Sequence, residues 1–221
     1  MESYVLRLWL PDRPGALGAV ASRIGAVKGD VVGIEILEVG EGQAVDELVV
    51  RLPEASLLDL LVAEVRQVDG VEVEEVRPCV RAGHDPRLAV LEITAKMVEA
   101  TSRDALLGVA VGDAPPSLTA AWLAVLDGDT GSVLARGDEA PTAGWLSAFA
   151  HGASSALSLG GMDAGPSDVI SSTGSGLPLV LVAGRERVAW RDLERQQLEA
   201  LARVVAARWN ELHPAVAGAT S

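Results

Sequence analysis

Asp12-Arg13-Pro14-Gly15-Ala16-Leu17 sets a carboxylate, a guanidinium and a proline–glycine pair directly before an apolar helical pattern. Pro14 fixes φ near the helical value and carries no N–H, so it suits a first helical turn. The N–H groups of Gly15, Ala16 and Leu17 would then lack intrahelical acceptors, and the helix dipole adds partial positive charge beside them. A carboxylate is the natural complement of such a donor set. Gly15, without a Cβ, lets a ligand come close to the backbone. Asp12 could take an ammonium group, with Glu35 and Asp46 as further acidic candidates. The same residues also allow a purely structural reading. Asp12 would then cap the helix, a role worth about 1 kcal/mol, and Arg13 would be a solvated side chain.

Other constellations offer less chemistry. Asp127-x-Asp129-x-Gly131 resembles the start of a calcium loop, but Ser132 and Asp138 stand where that loop needs glycine and glutamate. A hairpin turn is the expectation there. His84, His151 and His213 are scattered singly, without metal-ligand spacing. Ser154-Ser155 and Ser171-Ser172 give no nucleophile elbow, and Ser175 sits in a glycine turn. Glu72, Glu74 and Glu75 read as a solvated acidic strand end that discourages aggregation. The expectation is a non-catalytic chain with no metal and no cofactor.

The elements that would carry the Asp12 turn follow from periodicity. Tyr4, Leu6, Leu8 and Leu10 alternate with Val5, Arg7 and Trp9, as in a strand with one apolar face. Leu17, Val20, Ala21, Ile24 and Val27 recur at helical spacing, and Gly29-Asp30 ends that run. Val32, Ile34 and Ile36 alternate, Gly40-Glu41-Gly42 reads as a hairpin turn, and Leu48, Val50 and Leu52 form a third strand. A second helix through Leu61 and Val65 and a fourth strand over Val71 to Val76 complete a β-α-β-β-α-β order. That order predicts a ferredoxin-like antiparallel sheet with both helices on one face.

Pro78 to Asp85 breaks the periodicity and reads as a linker. Beyond it, helices are expected from Leu88 to Val98 and from Ser102. A strand is expected over Leu118 to Leu126, with Ser132 to Arg136 as its hairpin partner after a turn over Gly128 to Gly131. Residues 137 to 166, rich in Gly, Ala and Ser, show the weakest pattern. A second hairpin over Asp168 to Ser172 and Leu177 to Val182 precedes a long helix from Asp192, with Leu198, Leu201, Val205 and Trp209 inward.

The 221 residues suffice for two small domains with real cores. A formal charge of −13 and a pI near 4.6 argue against nucleic acid or an anionic membrane as a partner, since both need a basic footprint. Cys79 alone excludes an internal disulfide. The first residues lack the basic and apolar regions of a signal peptide, and the apolar run at Leu177 to Gly184 is far too short to span a membrane. A cytoplasmic location is expected.

The D-R-P-G-x-L turn, its apolar helix and the Gly-Asp-Val-Val entry into the second strand resemble the ACT domain family over roughly residues 3 to 77. The second half is similar, at the level of pattern, to a GAF domain over roughly 86 to 212. Its leading helix, the turn Asp127 to Gly131, the Gly176-Leu177-Pro178 strand entry and the long last helix carry that likeness. Together these imply an α+β chain: an ACT-like amino-acid-binding domain at 1–77, a linker at 78–85, a GAF-like α/β/α sheet domain at 86–213 and a flexible tail at 214–221. The first resemblance implies a regulatory sensor of a small ligand, an amino acid, that pairs into a homodimer. The second implies dimerisation or a second ligand, with a protein partner to receive the signal. Asp12, Arg13, Pro14, Gly15, Ala16, Leu17, Gly33, Glu35 and Asp46 are the candidate ligand-binding residues. The alternative is a structural or interaction protein that uses the two domains for pairing or docking without ligand.

Overall fold

A computed structural model describes residues 1–79, 86–158, 168–172, 178–186 and 188–212. The chain divides into two compact units, Met1–Asp85 with Arg191–Leu193, and Pro86–Trp190 with Glu194–Ser221.

The first unit runs β1 (Glu2–Pro11), α1 (Ala16–Ala26), β2 (Asp30–Gly40), β3 (Gln43–Leu52), α2 (Leu58–Val65) and β4 (Glu72–Pro78). Its strands form one antiparallel sheet in the order β2-β3-β1-β4, the ferredoxin-like arrangement expected from the element order. Glu41 and Gly42 both have positive φ, which is what a tight two-residue turn between twisted strands requires. Leu6, Leu8 and Leu10 of β1 and Leu48, Val50 and Leu52 of β3 share a core with Val20 and Ile24 of α1 and Leu61 and Val65 of α2. Ala21, expected in the buried stripe, is exposed, and Ala16 is buried in its place at the helix start.

The opposite sheet face carries charge in register. Glu35, Glu47, Arg7 and Glu75 are successive cross-strand neighbours on β2, β3, β1 and β4. Arg7, only 1% exposed, donates to Glu47 Oε1 from Nε at 2.9 Å and from Nη2 at 2.7 Å. Arg77 adds donors to both Glu47 oxygens at 2.9 and 3.0 Å, and its Nε reaches Glu75 at 3.3 Å. Glu75 is therefore part of this network and not simply a solvated strand end.

In the second unit, α3 (Pro86–Glu99) and α4 (Arg103–Gly108) lead through a π-turn (Val109–Asp113) and a 3-10 turn (Pro115–Leu118) into the sheet. Ser102 caps α4, accepting from the Ala105 N–H at 3.1 Å. Then follow β5 (Trp122–Asp127), β6 (Val133–Arg136), α5 (Ala143–Ser158), β7 (Val169–Ser171), β8 (Leu179–Gly184) and α6 (Asp192–Glu211). The sheet is antiparallel in the order β6-β5-β8-β7. One face packs Leu123, Val125, Leu181 and Ala183 against Met97, Leu106, Leu198 and Val205. The other packs Trp122, Ala124, Leu126 and Val182 against Leu146 and Ala150 of α5. Three α/β/α layers result.

One expectation fails here for an identifiable reason, and a stretch to which no element was assigned proves to be ordered. Leu118 does not begin a strand, because the Pro115-Pro116 pair starts a 3-10 turn that ends at Thr119 in the left-handed region. Residues 143–158 are helical despite their small residues. Leu146 and Ala150, four apart, bury one face, and Thr142 Oγ1 accepts from the Trp145 N–H at 3.4 Å. The second hairpin is present as β7 and β8, while its turn at 173–177 lies outside the described residues, as do His84, Ser175, His213 and the 214–221 tail. His151 is exposed on α5.

The packing yields two expected outcomes. Glu47→Ala leaves Arg7 buried without its carboxylate and lowers stability by about 3–5 kcal/mol, read as a lower urea midpoint. A Cβ on Gly184 would fall 2.1 Å from the Trp122 ring. Gly184→Ala is therefore expected to cost about 1–3 kcal/mol through overpacking, visible as a lower Tm.

Candidate functional site

The turn between β1 and α1 is built differently from a side-chain-capped helix start. Gly15 occupies the N-cap position with φ +92°, and no side chain caps the helix. The capping role considered for Asp12 is thus not realised. Asp12 is instead held by its backbone, its N–H donating to Gly42 O at 2.9 Å in the neighbouring hairpin. The Ala16 N–H donates to Arg13 O at 3.2 Å, so it is occupied within the turn. Gly15 O accepts from Ala19 at 2.9 Å and starts the helical ladder. Among the described residues, no backbone acceptor meets the N–H of Gly15 or Leu17, and these two remain the available donors. A Cβ on Gly15 would meet nothing within 4 Å. Its glycine is required by the positive φ and not by crowding.

Asp46 lies on the side of the sheet that carries α1. Its neighbours at two-residue spacing, Ala44 and Leu48, lie in the core under the helices, and Asp46 pairs across the sheet with Leu8 and Ile36. Register thus puts its carboxylate on the helix side, two cross-strand pairs from Leu10 and Ala44. Asp46 is 3% exposed, and its Oδ1 has no hydrogen-bond partner. Burial, and then the nearby charge of Asp12, push the Asp46 carboxyl above the usual carboxylate range.

The remaining candidates divide. Arg13 is exposed and reaches Asp69 at 3.5 Å, a surface pair of small energetic consequence. Pro14 and Leu17 lie in the turn and first helical residues, beside Gly15. Glu35 and Gly33 pair with Glu47 and Val49 on the face away from α1, so they do not join Asp12 and Asp46. Sequence reasoning did not single out Ile34 and Ile36: noted only for their strand alternation, they are 48% and 55% exposed. They share the helix side of the sheet with Leu48 and Asp46 but lie on its edge strand. The signal was available, because the β-α-β-β-α-β order places β2 at the edge.

Elsewhere in the chain, Asp127 behaves as a turn residue. Its Oδ1 accepts from the N–H groups of Asp129 and Thr130 and from the Thr130 hydroxyl at 3.1, 2.8 and 2.8 Å. Those bonds, above all the ones from Thr130, hold its carboxyl below the usual range. Among the described residues no cluster of His, Cys, Asp or Glu could hold a metal ion, and no helix is long and apolar enough to cross a membrane.

No family model matches the chain, and no curated protein matches it. Among solved structures it is similar to the ACT domain from GTP pyrophosphokinase of Chlorobium tepidum, at 18% identity and a TM-score of 0.29 over 35% of this chain and 97% of that one. It is also similar to the uncharacterized protein TM1266 from Thermotoga maritima, at 23% identity and a TM-score of 0.29 over 35% of this chain and 95% of that one. An unknown protein from Galdieria sulphuraria is similar over 92% of this chain and 91% of its own, at 13% identity and a TM-score of 0.33. At these scores the likenesses carry no argument about ligand or activity.

The buried carboxyl has a consequence for stability. A folded-state pKa above the unfolded value of about 3.9 means that the folded protein holds the Asp46 proton more tightly. Its contribution is fully present below the unfolded pKa and is lost as pH rises through the raised one. Asp46→Asn is therefore expected to raise Tm above that window and to flatten the decline, as measured by thermal unfolding of both proteins across pH.

Proposed function

We propose that this chain is a non-catalytic, cytoplasmic regulatory protein that senses a small amino acid at the start of α1. The observation that carries this reading is the orphaned Asp46 Oδ1, which feels the charge of Asp12 in the turn that leads into a helix start with free N–H groups. A zwitterion matches both halves. Its carboxylate would meet the Gly15 and Leu17 N–H groups, where the helix dipole favours an anion. Its ammonium would meet Asp46, with Asp12 alongside. Open space beside Gly15 leaves room for the ligand backbone, and the exposed Ile34 and Ile36 supply an apolar flank.

Those exposed edge-strand residues also support pairing into a homodimer through β2, because an unprotected apolar edge strand favours association. The second unit would serve dimerisation or a second ligand. A second reading, an interaction protein without ligand, is favoured by the exposed Leu88, Leu91 and Val98 on α3. Spaced three and seven residues apart, they form an apolar stripe suited to a protein partner, which a regulatory chain would need to pass on its signal.

Thermal shift against the twenty amino acids separates the two. A sensor is expected to gain about 2.7 kcal/mol of stability at a hundred times Kd, and Gly15→Ala, strained at positive φ, should reduce that response. Absence of a shift with every amino acid would leave the interaction reading in its place.

A further inference from the structure

We propose that Asp46 takes the ligand's ammonium group in exchange for its own proton, so that the site is a pH-gated receptor for small primary ammonium compounds that carry no second carboxylate. The inference rests on the amino-acid reading above and adds the chemistry of its cationic half.

The placement of Asp46 is the argument. It lies on the core side of a central strand, between Ala44 and Leu48, and its cross-strand neighbours Leu8 and Ile36 offer no polar atom. The charged groups around it are few. The β1–α1 turn contributes the carboxylate of Asp12, and the Arg13 guanidinium of that turn is turned to Asp69. On α1 the single charged side chain is Arg23, in the last turn, engaged by Glu64 of α2 at 2.9 Å and by Gln67 at 3.2 Å. No cation among the described residues is paired with Asp46, whereas Glu47, the next residue, has two arginines on the other face.

A buried carboxyl with one unpartnered oxygen and another carboxylate nearby is held above the usual carboxylate range, so its neutral form persists to higher pH than in a free aspartate. An incoming R–NH3+ reverses that preference. The Asp46 O–H bond breaks, its proton leaves to solvent, and the carboxylate accepts an N–H from the ammonium group. Below the Asp46 pKa one proton is released per ligand bound, and above it none, so affinity falls as pH drops through the Asp46 titration, by up to tenfold per pH unit. Sign and geometry agree, because the ligand supplies the one partner that the ionised side chain lacks. Asp12 and Asp46 together repel a second ligand carboxylate, which refuses acidic side chains.

The test uses the full chain and methylammonium chloride, with sodium chloride at matched ionic strength as the control. Methylammonium has no carboxylate, so it probes the cationic half without the helix start. The expected result is a methylammonium-specific rise in Tm that is larger at about pH 8 than at about pH 5. Asp46→Asn is expected to abolish it. Asp12→Asn, which removes the carboxylate beside Asp46, is expected to weaken the response and move its onset to lower pH. An equal rise at both pH values, no rise at either, or a rise retained by Asp46→Asn overturns the proposal. Failure here is distinguishable from failure of the sensing reading. An amino acid that binds with pH-independent affinity overturns proton exchange alone, whereas a methylammonium response with no amino-acid response overturns sensing alone.

Discussion

The Arg7–Glu47 pair is the constraint on which the first unit depends. Side chains alternate across a sheet with a period of two, so a slip of one residue between β1 and β3 would reverse every face. Such a slip would push Arg7 or Glu47 into the core between sheet and helices, where no counter-ion is placed to meet it. The observed register instead joins them at 2.7 Å and recruits Arg77 to the same carboxylate. A buried ion pair is weak evidence for net stability, but breaking it by a register slip would leave a buried charge unpaired, which disfavours the slipped pairing. Fixing Glu47 on one face fixes Asp46 on the other. The charge row and the orphaned carboxylate are two consequences of a single register.

The start of α1 is likewise determined by what it lacks. A side-chain cap would occupy one of the first-turn N–H groups and would place a carboxylate or hydroxyl where a ligand anion would sit. Gly15 at positive φ turns the chain into the helix without a cap, and the Ala16 N–H is satisfied internally by Arg13 O. The turn is anchored from outside by the Asp12 N–H on Gly42 O, so the β2–β3 hairpin positions the β1–α1 loop. Donors above and a carboxylate below are thereby held by three separate pieces of the sheet.

Much of this was legible in the residues. The alternation in β1 and β3 and the three-to-four spacing in α1 name the core almost residue by residue, because burial of one face is the main term in both elements. The D-R-P-G turn was legible for a different reason, since Pro14 and Gly15 mark a break between strand and helix. Glu35 and Gly33 were harder to place, since their face depends on the register and bulges of β2, which no local pattern encodes. Asp46 stood out only as one acidic residue among several. Its lack of a partner is a property of the neighbouring strands. In the second unit, α5 was hidden because alanine, glycine and serine bury little area, so a helix made of them shows almost no contrast between faces.

An unpartnered polar atom in a core costs on the order of 1–3 kcal/mol. The first unit carries that cost at Asp46 while satisfying Glu47 several times over one residue away. Isosteric replacement by an apolar residue would remove it, so stability alone gives no reason for aspartate at this position. The sensing function proposed above would give one: a group left unpartnered in the protein and satisfied by a ligand would convert binding into a difference between two states of the molecule. The same logic sets the geometry: Leu8 closes the β1 side of Asp46, whereas its β2 neighbour Ile36 is more than half exposed, so relief would come from the open β2 edge.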